Sequence, residues 1–157
     1  MIQAIDHLNI VVADMARSLK FYTEVLGFVK TKEAQLSGEW IERIVGLKGV
    51  RAQAVFVELP GGGPRIELLR SAAPAGVALA ENSRANTIGL RHFALRVSDI
   101  DAAREHVRAR GVEIQETGPI PYCDRFFVFD PDGNRIEVIQ WLEPYDPTRS
   151  GAEYLDT

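Results

Sequence analysis

Cysteine is almost missing from this chain: Cys123 is the only one in 157 residues. A single thiol excludes an internal disulfide and any thiolate metal cluster. Long hydrophobic runs are missing too. No segment approaches the roughly twenty apolar residues of a membrane span, and the start, MIQAIDHLNI, enters a strand pattern with no basic region or long apolar stretch before it. The expectation is a cytoplasmic protein with no membrane contact. Charge of one sign is scarce as well. The formal net charge is −4 and the lysines and arginines are scattered, so the sequence offers no basic footprint for nucleic acid or anionic lipid, and neither is expected as a partner. What is present, 46% hydrophobic and 25% charged residues, suits one globular domain or two small halves sharing a core.

Within that ordinary composition one stretch stands out. Phe126 to Trp141, FFVFDPDGNRIEVIQW, reads as two strands around a tight turn. The arm from Arg125 to Phe129 is aromatic and β-branched. The turn Asp130-Pro131-Asp132-Gly133-Asn134 supplies a fixed φ, a residue that accepts positive φ, and Asx side chains that bond the local backbone. On the return strand, alternation puts Arg135, Glu137, Ile139 and Trp141 on one face and Ile136, Val138 and Gln140 on the other. A carboxylate between Ile136 and Val138 needs a cation, a proton or an aqueous cleft.

The same pattern occurs earlier. Arg65-Ile66-Glu67-Leu68-Leu69 matches Arg135-Ile136-Glu137-Val138-Ile139, with Gly63 on Gly133, and the segment from Asp6 to Asp14 matches Arg91 to Asp99. His7 thus falls on His92. Each half carries one His in its first strand and one Glu in its last.

Read in order, each half is βαβββ. Ile5 to Val12 is the first strand, with His7, Asn9 and Val11 on one face. Asp14 caps a helix to about Leu26, stopped by Gly27, and Phe28 to Glu33 is the second strand. Leu36 to Val50 has no counterpart in the second half. It carries Ser37 or Gly38 as a cap and Trp40, Ile41, Ile44 and Val45 as an apolar stripe, and reads as a short inserted helix, either a lid over a cleft or a filler of the core. Arg51 to Leu59 and Pro64 to Arg70 are the third and fourth strands. The Gly61-Gly62-Gly63 turn between them lacks the helix and the Lys-Ser/Thr of a phosphate loop. Gly89 to Val97, a helix from Asp99 to Arg110 ended by Gly111, Val112 to Gln115 and the closing hairpin repeat the order, with Gly118 to Asp124 as a loop. The expected domain spans 1–142, as modules 1–70 and 88–142 joined by a linker 71–87, and 143–157 is a polar tail that frays or drapes over the surface.

A strand His or a strand Glu taken alone is usually structural. Two of each at equivalent positions would meet in one cavity if the halves stack about a pseudo-two-fold axis. Imidazole with carboxylate suits a divalent Zn²⁺, Ni²⁺, Co²⁺, Mn²⁺ or Fe²⁺ ion, which would compensate both carboxylates. His7, Glu67, His92 and Glu137 are therefore the candidate ligands. His106 is read as a surface residue and Cys123 as a passive loop residue.

With HLNIVVADMARSLKFYTEVLGF, RIELL, HFALRVSDIDAA and FVFDPDGNRIEVIQW, the chain from about Ile5 to Trp141 resembles the vicinal oxygen chelate proteins, the superfamily of glyoxalase I, methylmalonyl-CoA epimerase, extradiol dioxygenases and bleomycin-resistance proteins. The resemblance implies an α+β fold whose paired βαβββ modules curl into an open half-barrel cup around one divalent metal held at His7, Glu67, His92 and Glu137. It also implies a metal acting as Lewis acid on substrate oxygens. An extradiol enzyme needs only two His and one carboxylate, so Glu67 points to the lyase and epimerase side. Val11 stands where glyoxalase I has Arg, and Glu67 where the epimerase usually has Gln, so neither glutathione nor acyl-CoA is specified. The reading is a metal-dependent lyase or isomerase of a small carbonyl substrate, with Glu137, or Glu67 in exchange with it, as base. Asn9, Arg96 and Phe127 are candidate substrate contacts. An Fe²⁺ ring-cleaving dioxygenase and a non-catalytic binding protein are the alternatives. An open half-barrel leaves edges for a second copy, so a homodimer is expected, with each metal site built in one chain or shared between two.

Overall fold

A computed structural model describes residues 3–78, 86–118 and 122–142. The chain divides into two compact units, Met1–Asn82 and Ser83–Thr157. In the first, β1 (His7–Val11), α1 (Met15–Lys20), β2 (Val29–Ser37), α2 (Glu39–Val45), β3 (Arg51–Glu58) and β4 (Arg65–Ala73) form a mixed sheet of order β1-β4-β3-β2. In the second, β5 (His92–Arg96), α3 (Ile100–Arg108), β6 (Gln115–Glu116), β7 (Cys123–Phe129) and β8 (Arg135–Trp141) form a sheet of order β5-β8-β7-β6. Both put the first and last strands side by side and parallel, so the expected repeat of βαβββ is present in each unit. Among the described residues no helix is long and apolar enough to cross a membrane.

Helix starts follow the local chemistry. The Asp14 carboxylate accepts from Arg17 N–H at 3.0 Å and the Asp99 carboxylate from Ala102 N–H at 2.9 Å. Such caps contribute about 1 kcal/mol each. The expected helix to Leu26 changes character at Lys20. Phe21–Val25 is π-helical, with Leu26 N–H bonding Phe21 C=O, and the wider turn lets the consecutive Phe21 and Tyr22 both be buried. The stop at Gly27 is as expected: its φ of 77° is open to glycine, and Phe28 N–H returns to Tyr22 C=O.

The core lies on one face of each sheet. Val55, Val57, Ile66 and Leu68 are buried in the first unit, and Phe126, Val128, Ile136 and Val138 in the second. Each such side chain contributes roughly 1.5 to 3 kcal/mol by leaving water. In the second unit α3 buries Ile100 and Val107, and Ile100 N–H donates to the Gln140 side-chain carbonyl at 2.8 Å. Arg104 clasps the helix to the sheet through two bonds to Asp124, at 2.6 and 3.0 Å, and one to Glu116 at 3.2 Å.

Several boundaries differ from the sequence reading. β2 runs on to Ser37 because its ladder with β3 continues through the polar stretch Lys32 to Gln35. β4 reaches Ala73, inside the segment expected as a linker, because Arg51 pairs with Ala73 and Ala52 with Ser71. β6 is only Gln115–Glu116, since those are the residues that pair with Phe127 and Phe126. β7 begins at Cys123 in the expected loop, and Cys123 is buried rather than a loop residue. The cap of α2 is Gly38, with no side-chain bond. Of its stripe only Ile41 enters the core. Trp40, Ile44 and Val45 are exposed, so of the two expected roles, lid or core filler, the second does not fit most of the stripe. His106 is exposed as read. The tail 143–157, linker residues 79–85 and loop residues 119–121 lie outside the described residues.

Candidate metal centre

Pairing register brings the first pair together. β1 lies parallel to β4 with His7 opposite Arg65 and Asn9 opposite Glu67, and β3 adds Phe56 opposite Glu67. Period two therefore puts His7, Asn9, Glu67 and Phe56 on the face away from the core. His7 Nε2 is 3.5 Å from Glu67 Oε2. The other ring nitrogen, Nδ1, meets Asp6 Oδ1 at 2.8 Å, which aims Nε2 at Glu67. Asp6 also accepts from Arg65, and these two bonds, His7 first, hold its carboxyl below the usual carboxylate range. Asn9 donates its amide to Glu67 Oε2 at 2.8 Å. Phe56 meets His7 edge-on, ring centres 5.7 Å apart, with the Arg65 guanidinium 5.0 Å over its ring.

The second unit builds the same pair with different support. His92 is opposite Arg135, Ala94 opposite Glu137, and Phe127 opposite Glu137. His92 Nε2 is again 3.5 Å from Glu137 Oε2, and Phe127 stands edge-on to His92 at 5.6 Å. Glu137 is 7% exposed, and where the first unit uses Asn9 its further partner is Arg125, whose Nη1 lies 3.3 Å from Oε1. The turn that returns β8 is the Asx turn read from DPDGN. Asp130 Oδ1 accepts from the backbone N–H groups of Asp132 and Asn134 at 3.0 and 2.8 Å, and Gly133 takes the positive φ of 86°.

Both separations fit two ligands on one ion. Metal–nitrogen and metal–oxygen bonds of about 2.0 to 2.2 Å at a tetrahedral angle set the donors about 3.4 Å apart. Each unit thus holds one imidazole and one carboxylate at a spacing that two ligands of one ion would take. Among the described residues no group of three or more His, Cys, Asp or Glu is gathered tightly enough to hold a metal.

Of the residues read as substrate contacts, Asn9 belongs to the Glu67 pair, Phe127 is buried against His92, and Arg96 is exposed on β5, two residues beyond Ala94 on the same face. Four supporting residues escaped the sequence reading. Phe56 was hidden because the first hairpin turn is one residue longer than the second, which breaks the constant offset; Pro60 over Pro131 marks the break. Arg65 and Arg125 act through partners that only the strand register brings near, and Asp6, though next to His7 in the chain, carries no mark in the sequence that its carboxylate turns back onto the ring. Cys123 shares the face of Glu137, opposite Trp141, but burial pushes its thiol up, away from reactivity.

The comparisons bear on the chain as a whole. It is 32% identical over 138 residues to a probable lactoylglutathione lyase of Synechocystis sp., covering 85% of this chain and 92% of that one. It is 31% identical over 146 residues to a 2-epi-5-epi-valiolone epimerase of Actinomyces sp., covering 87% and 78%. The crystal structure of a glyoxalase family protein from Bacillus cereus matches with a TM-score of 0.81 at 23% identity, covering 91% of this chain and 97% of that one, and shows the expected α+β fold of βαβββ modules. The family model matches residues 4–138, and the chain belongs to the Glyoxalase/Bleomycin resistance protein/Dioxygenase superfamily.

Proposed function

We propose that this protein is a divalent-metal-dependent lyase or isomerase that moves a proton next to the carbonyl of a small substrate, with His7, Glu67, His92 and Glu137 as the ligands of one ion. The observation that carries it is the repeated 3.5 Å His–Glu pair, one in each unit. Relatives that are a probable lyase and an epimerase support the reaction class. An ion held there, Zn²⁺, Ni²⁺, Co²⁺, Mn²⁺ or Fe²⁺, supplies Lewis acidity at the carbonyl oxygen and so acidifies the neighbouring C–H.

The chain's own residues divide the remaining work. Glu67 takes the proton from carbon and returns it. Its second partner is the neutral Asn9 amide, so leaving its place strands no arginine. Glu137 is the fixed partner, because leaving its place would strip Arg125 of its anion. Phe56 and Phe127 meet the two imidazole rings edge-on and steady their planes. Asn9 positions Glu67. The protein works as a homodimer: β1 and β2 are the edges of one sheet, β5 and β6 of the other, and Trp40 and Ile44 are exposed on α2. A single monomeric species in sedimentation at micromolar concentration overturns the dimer.

The test of the reaction is a screen of the metal-loaded protein with thiol hemiacetals, acyl-CoAs and keto acids for solvent-deuterium exchange. Exchange at the carbon beside a carbonyl is the expected result. Oxygen consumption with a catechol by the Fe²⁺ form, at the turnover of an enzyme, would instead place the protein among ring-cleaving dioxygenases.

A further inference from the structure

The two sheets can be compared position by position on the face that carries the His–Glu pairs, and they part company one row beyond the carboxylates. In the first unit that row is Val11, Leu69 and Ala54, side by side on β1, β4 and β3. In the second it is Arg96, Ile139 and Arg125 on β5, β8 and β7. An apolar row in one unit has become a row with two guanidinium groups in its repeat.

The charge around each pair differs accordingly. In the first unit Arg65 is paired with Asp6, and Lys32 is the other cation on the face, 6.0 Å from the Phe56 ring. In the second, Arg96, Arg125 and Arg135 share the face with Glu137, and Arg125 is the one that bonds it. Among the described residues Arg96 and Arg135 enter no ion pair. Arg135 stacks 3.7 Å over the Phe127 ring, and its buried Nε has no hydrogen-bond partner.

We propose that this row is an anion clasp: the substrate carries a carboxylate or phosphate besides its carbonyl, and Arg96 and Arg125 hold that group over Ile139. The proposal rests on the reading of the His–Glu pairs as the reacting end. Arg96 and Arg125 stand two strand spacings apart, about 10 Å between Cα atoms, and two long side chains close that gap on one anion. Guanidinium forks match the paired oxygens of carboxylate and phosphate, and the neighbouring Arg135 adds positive potential. Because Arg125 both bonds Glu137 and belongs to the clasp, the anion seats beside the His92–Glu137 pair. The substrate class is a small α-carbonyl acid or a phosphorylated carbonyl compound.

The test is calorimetric titration of the metal-free protein, at low salt, with inorganic phosphate and separately with succinate. At least one of the two binds, and the stronger names the group. Arg96→Met weakens that binding by about tenfold or more, Arg96→Lys restores part of it, and Val11→Ala at the matching place in the first unit leaves it unchanged. Arg96 is exposed, so the variant keeps its fold, checked by circular dichroism. Binding of neither anion, or equal binding by wild type and Arg96→Met, overturns the clasp. Metal affinity is measured in parallel and is the same in Arg96→Met as in wild type. Loss of the metal site in the wild type overturns the reaction reading while the anion titration is judged separately.

Discussion

Arg125 reaches across the β7–β8 pairing to place its Nη1 3.3 Å from the Oε1 of Glu137. The matching carboxylate of the first unit, Glu67, has Ala54 at the position of Arg125 and takes its extra bond from Asn9. Two glutamates that are twins in the sequence are thus held by a cation in one case and a neutral amide in the other.

The first prediction follows from that difference. Glu67→Gln should abolish solvent-deuterium exchange into substrate while metal affinity falls only in part. Glu137→Gln should weaken metal binding by about tenfold or more, since it removes a charged ligand and leaves Arg125 beside a neutral amide. Exchange at the wild-type rate in Glu67→Gln would reverse the two roles.

A second prediction concerns Asp6. Its bond to Nδ1 orients His7, and Arg91 stands at the equivalent place in the second unit, so the support is one-sided. Asp6→Asn should lower metal affinity by about tenfold, at the lower end for an outer-shell carboxylate because Asp6 is exposed. Equal affinities in metal-buffer titration would remove Asp6 from the site.

A third prediction is about stability in acid. The bond from Arg104, ahead of its charge, holds the Asp124 carboxyl below the usual carboxylate range. A carboxyl whose folded value is lowered contributes stability that is present above its unfolded value, near pH 4, and lost as pH falls through the folded value. Asp124→Asn should cost about 1 to 2 kcal/mol in urea unfolding at pH 7 and much less at pH 3. The same loss at both pH values would show that the clasp on α3 does not act through this ionisation.

Much of the fold could be read from particular residues. The Asp14 and Asp99 caps, the Gly27 stop and the DPDGN turn are local chemistry, and each is found where the sequence put it. His7, Glu67, His92 and Glu137 were legible because RIE and the strand-one His recur, and the structure pairs them two by two. What the sequence hid depends on register. Arg125 lies twelve residues from Glu137, and Asn9 fifty-eight from Glu67, and only the β8–β7 and β1–β4 pairings bring them together. The π-helical turn at Phe21 keeps helical spacing in the sequence, so its wider turn leaves no mark there. β2 was cut short because Lys32 to Gln35 lacks the apolar alternation that marks a strand.

The measurement that bears most directly on the central claim is metal analysis of the purified protein beside its His7→Ala, Glu67→Ala, His92→Ala and Glu137→Ala variants. The account predicts one divalent ion per chain in the wild type and affinity lower by an order of magnitude or more in every variant, whichever unit is changed. Stoichiometric binding that persists unchanged in Glu67→Ala and His92→Ala would contradict it.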